Sequence, residues 1–509
     1  MPISLRHLTA DSTWLITLTS PQSPPSHKPY IILVDPWIEG PSPVWHPKFA
    51  LNHHTVPSSV SNLSELSSPP DLLLISQTKT DHCNELTCRQ LPKAGIQVYA
   101  VPGADSIIRG WKHFDPANVH RLRPFTSRKT GRVSRIPIYR DPRPPTSPKD
   151  TNNVTTAKAN NPSSNDESAD TANTFEKDPN VAAIVELAFL PALKPWELPS
   201  IHIGLGITYT PIQDPITNTN DHSKIITAIL PPSSSLSPAP HPPQPTPPHP
   251  TAQTPITTHA STSTSTLSTP PPTTSASQPN PPSASPTPPP PPPPPNRFPR
   301  RASQLARRRN PHSANLKLPG RKSATQTESI LYTPHGVPVS ALSAYFSSIP
   351  LPLTALLHCF VRVDNPRWLG GVVSTGAPNA FRIIEEMKQV RAEQARRAEE
   401  PMSPKSRCSV EHPLGVRYLV ATHDEEVAME GFCSHFVKKE KWDMEDMERE
   451  IRRIAAAGKT PGCADEEEED EEEGEEKGAT GIGGSGKMWI GPAGVRLLEL
   501  GVGEDATLV

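Results

Sequence analysis

The sequence predicts an α/β fold interrupted by long insertions that build no core. Three observations carry that expectation. Short runs rich in Leu, Ile and Val alternate with helix-length stretches, the rhythm of strands and crossover helices in one domain. The chain has 509 residues, of which 68 are Pro, and only 34% are hydrophobic, so a large share cannot repay its ordering entropy. Setting aside the biased tracts leaves roughly 300 residues, enough for one large domain with a well-buried interior.

In the first part, residues 13–18, 30–34 and 72–75 are short apolar runs bounded by turn formers and read as strands. Residues 85–91 read as a helix, 97–100 as the next strand and 103–110 as a second helix, with Asp105 suited to its amide end. Strand character returns at 181–189 and 203–209, joined by the loop Pro191 to Trp196, and again at 329–331, 355–361 and 418–422. Phe381, Ile384, Met387 and Val390 recur at helical spacing, which predicts a surface helix over 379–399 with one apolar face. A charge-rich helix over 442–457 follows, and 488–490 with 495–500 suit a closing hairpin.

The domain is therefore expected in four pieces, residues 1–139, 181–213, 327–460 and 487–509. Residues 140–180 are rich in Asn, Ser, Thr, Asp and Pro and read as a disordered insertion. Residues 214–326 are dominated by Pro, Ser and Thr, include the unbroken run Pro288 to Pro295, and should sample extended polyproline II. Residues 461–486 carry an acidic run that like-charge repulsion keeps open.

Charge and cysteines exclude several classes. The net charge of −2 implies no partner globally, although Arg300-Arg301-Ala302-Ser303 has the look of a basophilic kinase site and Arg307 to Arg309 form a nuclear-import or polyanion patch. Without interleaved aromatics, specific nucleic-acid binding is not expected. Many Pro-x-x-Pro matches between Pro238 and Pro295 suit grooves of SH3 or WW type. Six cysteines without Cys-x-x-Cys spacing argue against a zinc ribbon or a disulfide framework. The N-terminus lacks a continuous signal-peptide core and no stretch has the length of a membrane span, so a cytoplasmic protein is expected, with the nucleus as the alternative.

The chemistry concentrates at strand ends. Leu72 to Ile75 runs straight into Ser76-Gln77-Thr78-Lys79-Thr80-Asp81-His82-Cys83, a polar turn ending in Asp-His. Such a pair suits metal ligation, or a cap on the helix that follows. His335 in Tyr332-Thr333-Pro334-His335-Gly336 and His423 in Ala421-Thr422-His423-Asp424-Glu425 also close strands, with Asp424 and Glu425 as orienting carboxylates for His423. His53 and His54 are reserve ligands or loop surface, His358 lies inside an apolar strand as a core histidine, and Asp364 is a loop cap or orienting carboxylate. No Gly-x-Ser-x-Gly elbow supports a serine nucleophile.

Laid end to end, Leu33-Val34-Asp35-Pro36-Trp37-Ile38-Glu39-Gly40, the 75–83 turn, the His335 turn, Val363-Asp364-Asn365-Pro366-Arg367-Trp368-Leu369-Gly370-Gly371 and the His423 turn resemble the metallo-β-lactamase superfamily. The likeness is to the fungal proteins of that fold related to lactonase-like and N-acyl-phosphatidylethanolamine phospholipase-like hydrolases. It implies a four-layer αβ/βα sandwich with metal ligands on loops at one edge of two facing sheets.

In active members, two motif histidines and a third from a later loop hold one metal, while the Asp-His pair and a late histidine hold another. The second set matches Asp81, His82 and His423, but Gln77 and Lys79 stand where the first imidazoles would be, and the Pro191 to Trp196 loop offers only Lys194. His335 occupies the place of the bridging aspartate. The resemblance thus implies at most one metal, a zinc ion held by Asp81, His82, His335 and His423, with Asp81 also the catalytic candidate.

The expected function is hydrolysis of an ester, lactone or phosphodiester in a small-molecule or lipid-like substrate. The alternative is an inactive scaffold that binds partners through its Pro-rich insertion. Lys79 would either neutralise Asp81 near the vacated metal position or point into solvent.

Overall fold

A computed structural model describes residues 3–19, 28–125, 133–140, 178, 180–212, 327–398, 414–424, 427–457, 487–491 and 494–508. The Pro/Ser/Thr-rich tract with its SH3/WW-type and basic motifs, the acidic run, Glu425 and nearly all of 140–180 lie outside the described residues.

In chain order the first strands are β1 (Ile3–His7), β2 (Trp14–Leu18), β3 (Tyr30–Val34), β4 (Ser42–Val44), β5 (Ala50–His53), β6 (Leu72–Ile75), β7 (Gln97–Ala100), β8 (Val119–Arg121), β9 (Ser134–Tyr139), β10 (Val181–Pro191) and β11 (Ile203–Pro211). Then come β12 (Glu328–Thr333), β13 (Leu353–His358), β14 (Arg362–Asp364), β15 (Val372–Thr375), β16 (Val416–Ala421), β17 (Ala428–Glu430), β18 (Lys438–Glu440), β19 (Lys487–Ile490), β20 (Arg496–Glu499) and β21 (Asp505–Leu508). The α-helices are α1 (Glu85–Cys88), α2 (Ala104–Gly110), α3 (Ser343–Phe346), α4 (Ala377–Ala398) and α5 (Met444–Ala456).

The expected mixed α/β class is what the strands build. A seven-stranded sheet runs β21-β1-β2-β3-β6-β7-β8, and an eight-stranded sheet runs β19-β20-β16-β13-β12-β11-β10-β9. Both are mixed: β3, β6, β7 and β8 are parallel neighbours in one, and β12, β13, β16 and β20 in the other. Two three-stranded sheets, β4-β5-β17 and β15-β14-β18, complete the fold.

The central parallel strands β3, β6 and β13 read as mostly apolar runs because both of their faces are covered. In β13, Ala355 and Leu357 belong to a core shared by the two large sheets, while Leu353 and Leu356 belong to a second core. In β16 likewise, Tyr418 and Val420 join the shared core with Leu419 between them in the second, while Leu353 and Val416, at the strand starts, depart from this alternation and also join the second core. Phe381, Ile384 and Met387 of α4 and Met447, Ile451 and Ile454 of α5 join the second core at the helical spacing that the sequence predicts. A buried leucine such as Leu357 stabilises the fold by about 1.5–3 kcal/mol relative to an exposed one.

Two boundaries differ from expectation, each for a local reason. The strand expected to reach residue 361 ends at His358, because the backbone N–H groups of Phe360 and Val361 donate to the carboxylate of Asp424, at 2.8 Å each for the shortest contacts, rather than to a neighbouring strand. Helix α1 stops after one turn at Cys88. Its N-cap is Asn84, whose side chain accepts from Thr87 N at 3.0 Å, so Asp81 does not cap it. Among the described residues, no helix is long and apolar enough to cross a membrane.

Candidate metal centre

Residues that follow parallel strands of both large sheets meet at one edge, the place where sheets of this kind present ligand sites. Asp35 follows β3, Ser76 to His82 follow β6, His335 follows β12 and His423 follows β16. His335 is held by a tight turn: Gly336 N donates to Thr333 O at 3.1 Å, and the His335 carbonyl accepts from Thr375 N at 3.0 Å. Gly336 has φ +85°, and a Cβ there would lie 1.7 Å from Thr375 Oγ1, so only glycine fits. His423 sits in the left-handed region, φ 56°, with its N–H donating to Asp11 O at 3.0 Å.

The imidazoles of His82, His335 and His423 converge, with one nitrogen from each lying within 4.8 Å of the others. These three side chains can hold a metal ion. The Nε2 atoms of His82 and His335 are 3.0 Å apart. Two nitrogens bound tetrahedrally to one zinc at ~2.0–2.1 Å would be about 3.3 Å apart. The pair needs only a few tenths of an ångström of adjustment.

Each of two rings is backed by a carboxylate. His82 Nδ1 donates to Asp35 Oδ2 at 2.8 Å, which leaves Nε2 as the nitrogen available to a metal. Asp35 is fully buried and also accepts from Ser76 N at 2.7 Å, from Ser76 Oγ and from Tyr332 OH at 2.9 Å. Across the site, His423 Nδ1 contacts Asp11 Oδ1. A carboxylate behind an imidazole fixes tautomer and ring orientation and raises ligand basicity.

The electrostatics differ from ring to ring. Burial opposes protonation of His82, but the carboxylates of Asp35 and Asp81 outweigh it, and the pKa is raised. His335 is driven well below the ordinary value by burial first, then by His82, His202 and Lys79. It is held neutral, the form in which an imidazole can ligate a metal, and its Nδ1 has no hydrogen-bond partner among the described residues.

Of the remaining sequence candidates, Asp81 lines the same cavity as His335 and His423 but does not belong to the three-residue cluster. Its buried Oδ1 has no hydrogen-bond partner among the described residues. Gln77 donates from Nε2 to Ile201 O at 3.1 Å, and Lys79 places its ammonium over the Trp45 ring, 5.6 Å from the centroid. Lys79 therefore takes neither expected position fully, being half-buried at the cavity wall. Lys194 pairs instead with Glu197 and Trp196.

The reserve histidines stay out of the cluster: His54 packs on Trp37 with ring centroids 3.8 Å apart, and His53 faces Glu430 at 3.9 Å. His358 is a satisfied core residue, bonded to Thr333 Oγ1 at 2.6 Å and to Gly376 O at 3.2 Å. Asp364 pairs with Arg362 at 2.7 Å. Asp424 is spent on the backbone of Phe360 and Val361, so the carboxylate that orients His423 is Asp11. Sequence reading missed the roles of Asp11, Asp35 and Tyr332. Only Asp35, polar at the end of the Ile31 to Val34 run, left a signal.

The cavity above the cluster measures about 180 Å³. Its walls include Val44, Phe49, Val361, Leu369, Val373 and Met429, and its cations are Lys79 and Lys439. No protein-family model and no curated protein sequence matches the chain. The arrangement of these side chains is what speaks to function.

Proposed function

We propose that this protein is a metallo-β-lactamase-like hydrolase with a single zinc ion held by His82, His335 and His423, acting on an ester or lactone with an aliphatic acyl part. The observation that carries the reading is the meeting of three imidazoles, two of them backed by carboxylates, under an apolar cavity. The four-layer αβ/βα architecture is supported by the shared core between the two large sheets and by the helices α4 and α5 packed on the second core. Three nitrogen ligands with an open fourth position suit catalytic zinc, which supplies Lewis acidity and lowers the pKa of water.

Within this reading the chain's own groups divide the work. Asp35 and Asp11 hold His82 and His423 in the ligating tautomer. Asp81 offers a buried oxygen on the cavity wall to take a proton from the attacking water. Aliphatic walls favour an acyl group over a doubly anionic phosphate, for which the cavity presents only Lys79 and Lys439 among the described residues.

A second reading, an inactive scaffold, is favoured by Gln77 and Lys79: an ammonium at the wall disfavours a second cation, and Gln77 is tied to Ile201 O. Elemental analysis and zinc titration of the full chain, set beside a His82→Ala/His423→Ala variant, decide between them. The hydrolase reading expects about one zinc per chain lost in the variant, with zinc-dependent cleavage of a p-nitrophenyl ester or an aliphatic lactone. A wild type that takes up no zinc on titration would leave only the scaffold.

A further inference from the structure

We infer that the rim of the cavity docks on an anionic lipid surface, so that apolar substrate enters from the bilayer. The surroundings of the mouth are unusual for a water-facing loop region. Trp45 is 75% exposed, Trp368 66% and Phe432 53%, and all belong to segments that border the cavity. Trp368, Phe432 and Phe436 cluster with ring centroids 5.0–6.4 Å apart, and Trp45 packs on Phe49 at 4.9 Å.

These rings are displayed on a built frame. Phe432 N donates to Lys48 O at 3.1 Å and Cys433 N to Phe49 O at 2.8 Å, which ties the start of the 431–437 segment to the residues that lead into β5. Trp45 holds a left-handed backbone, φ 63°, uncommon for a bulky residue, while contributing little to any core.

Charge on the same segments selects the partner. Lys48, Arg367, Lys438 and Lys439 are exposed there, against Glu430 and Glu440. Tryptophan and phenylalanine among lysines suit the headgroup boundary, where rings enter the acyl region and cations meet anionic phosphates. The rings project from three separate segments, near residues 45, 368 and 432, rather than from one groove, which suits a fluid phase better than a folded partner. The aliphatic walls, His335 and His423 line the same cavity as Trp45. The substrate route rests on the hydrolase reading; the docking does not.

The test is co-sedimentation of the full chain with vesicles of phosphatidylcholine alone and with about one-third phosphatidylserine. A Trp45→Ser/Trp368→Ser/Phe432→Ser variant, checked for native circular dichroism, is run alongside. The expected result is binding to the mixed vesicles that weakens with salt and falls about tenfold or more in the variant. Because residues 300–322 are also basic, binding that persists unchanged in the variant overturns the proposal. So does an absence of binding, or a ring-dependent self-association without binding, which would make the rim a protein interface. The His82→Ala/His423→Ala variant should bind vesicles like wild type, which separates failure of the metal centre from failure of the docking surface.

Discussion

Replacing Asp35 with Asn tests whether the site is built to present a ligating imidazole. The carboxylate accepts through both oxygens: Oδ1 from Ser76 N, and Oδ2 from Ser76 Oγ, Tyr332 OH and His82 Nδ1. Asn has one carbonyl and one NH₂ group. With the carbonyl toward His82, the NH₂ opposes the Ser76 N–H, and a buried donor is left unmet at about 1–3 kcal/mol. With the NH₂ toward His82, the ring must accept at Nδ1 and carry its proton on Nε2, the atom needed for the ion.

Either way zinc affinity should fall about 10–100-fold, equivalent to about 1.4–2.8 kcal/mol. The assay is competition with a chromophoric chelator, paired with urea unfolding of the apo protein. Tyr332→Phe is the control, since it removes a donor to Asp35 without touching the ring: stability should drop by about 1 kcal/mol with zinc affinity nearly unchanged. An Asp35→Asn protein that folds and binds zinc as tightly as wild type would refute the reasoning, as would an equal affinity loss in Tyr332→Phe.

Two further outcomes are expected. Gly336→Ala should destabilise by about 2–4 kcal/mol and displace His335, because the added methyl meets Thr375 Oγ1 at 1.7 Å in a backbone with φ +85°; unfolding curves and zinc uptake check both. Burial lowers the His358 pKa from 6.5 to about 4. The unfolded chain therefore binds the proton first, and about 3 kcal/mol of stability is lost as pH falls from about 6.5 to about 4. Burial raises Asp424 to about 7, so its contribution has the opposite sign, present at low pH and lost as pH rises through that value. The readout is therefore the stability difference between wild type and His358→Gln across that range, and a flat difference would contradict the assignment.

The fold was legible where burial on both faces leaves an unbroken apolar run. The strand at 72–75 is found as expected, that at 97–100 follows from its alternating pattern instead, and α4 follows the spacing of Phe381, Ile384 and Met387. The small sheets were not legible. β18 is Lys438-Lys439-Glu440, exposed throughout, and β14 and β17 are equally short, so backbone pairing alone defines them. The three histidines announced themselves because each closes a run of strand character. Their carboxylate partners did not, since Asp35 lies 47 residues from His82 and Asp11 lies 412 from His423. No local pattern encodes the first contact, which the pairing of β3 with β6 creates, or the second, which joins the two large sheets.

The pairing of β1 with β21 sets an order of events during synthesis. Ile3 faces Leu508 across that ladder, and His7 bonds Leu500 O and, through its backbone, Glu504 O. The segment bearing Asp11 is made well before the strand that clamps its base, since His7 and its partner Leu500 are 493 residues apart. Until then β1 is an open edge on a nascent chain, a template for stray pairing. Under the metal reading, ion loading should accordingly wait for the synthesis of β21, since only then is the base of the Asp11 segment held from both sides.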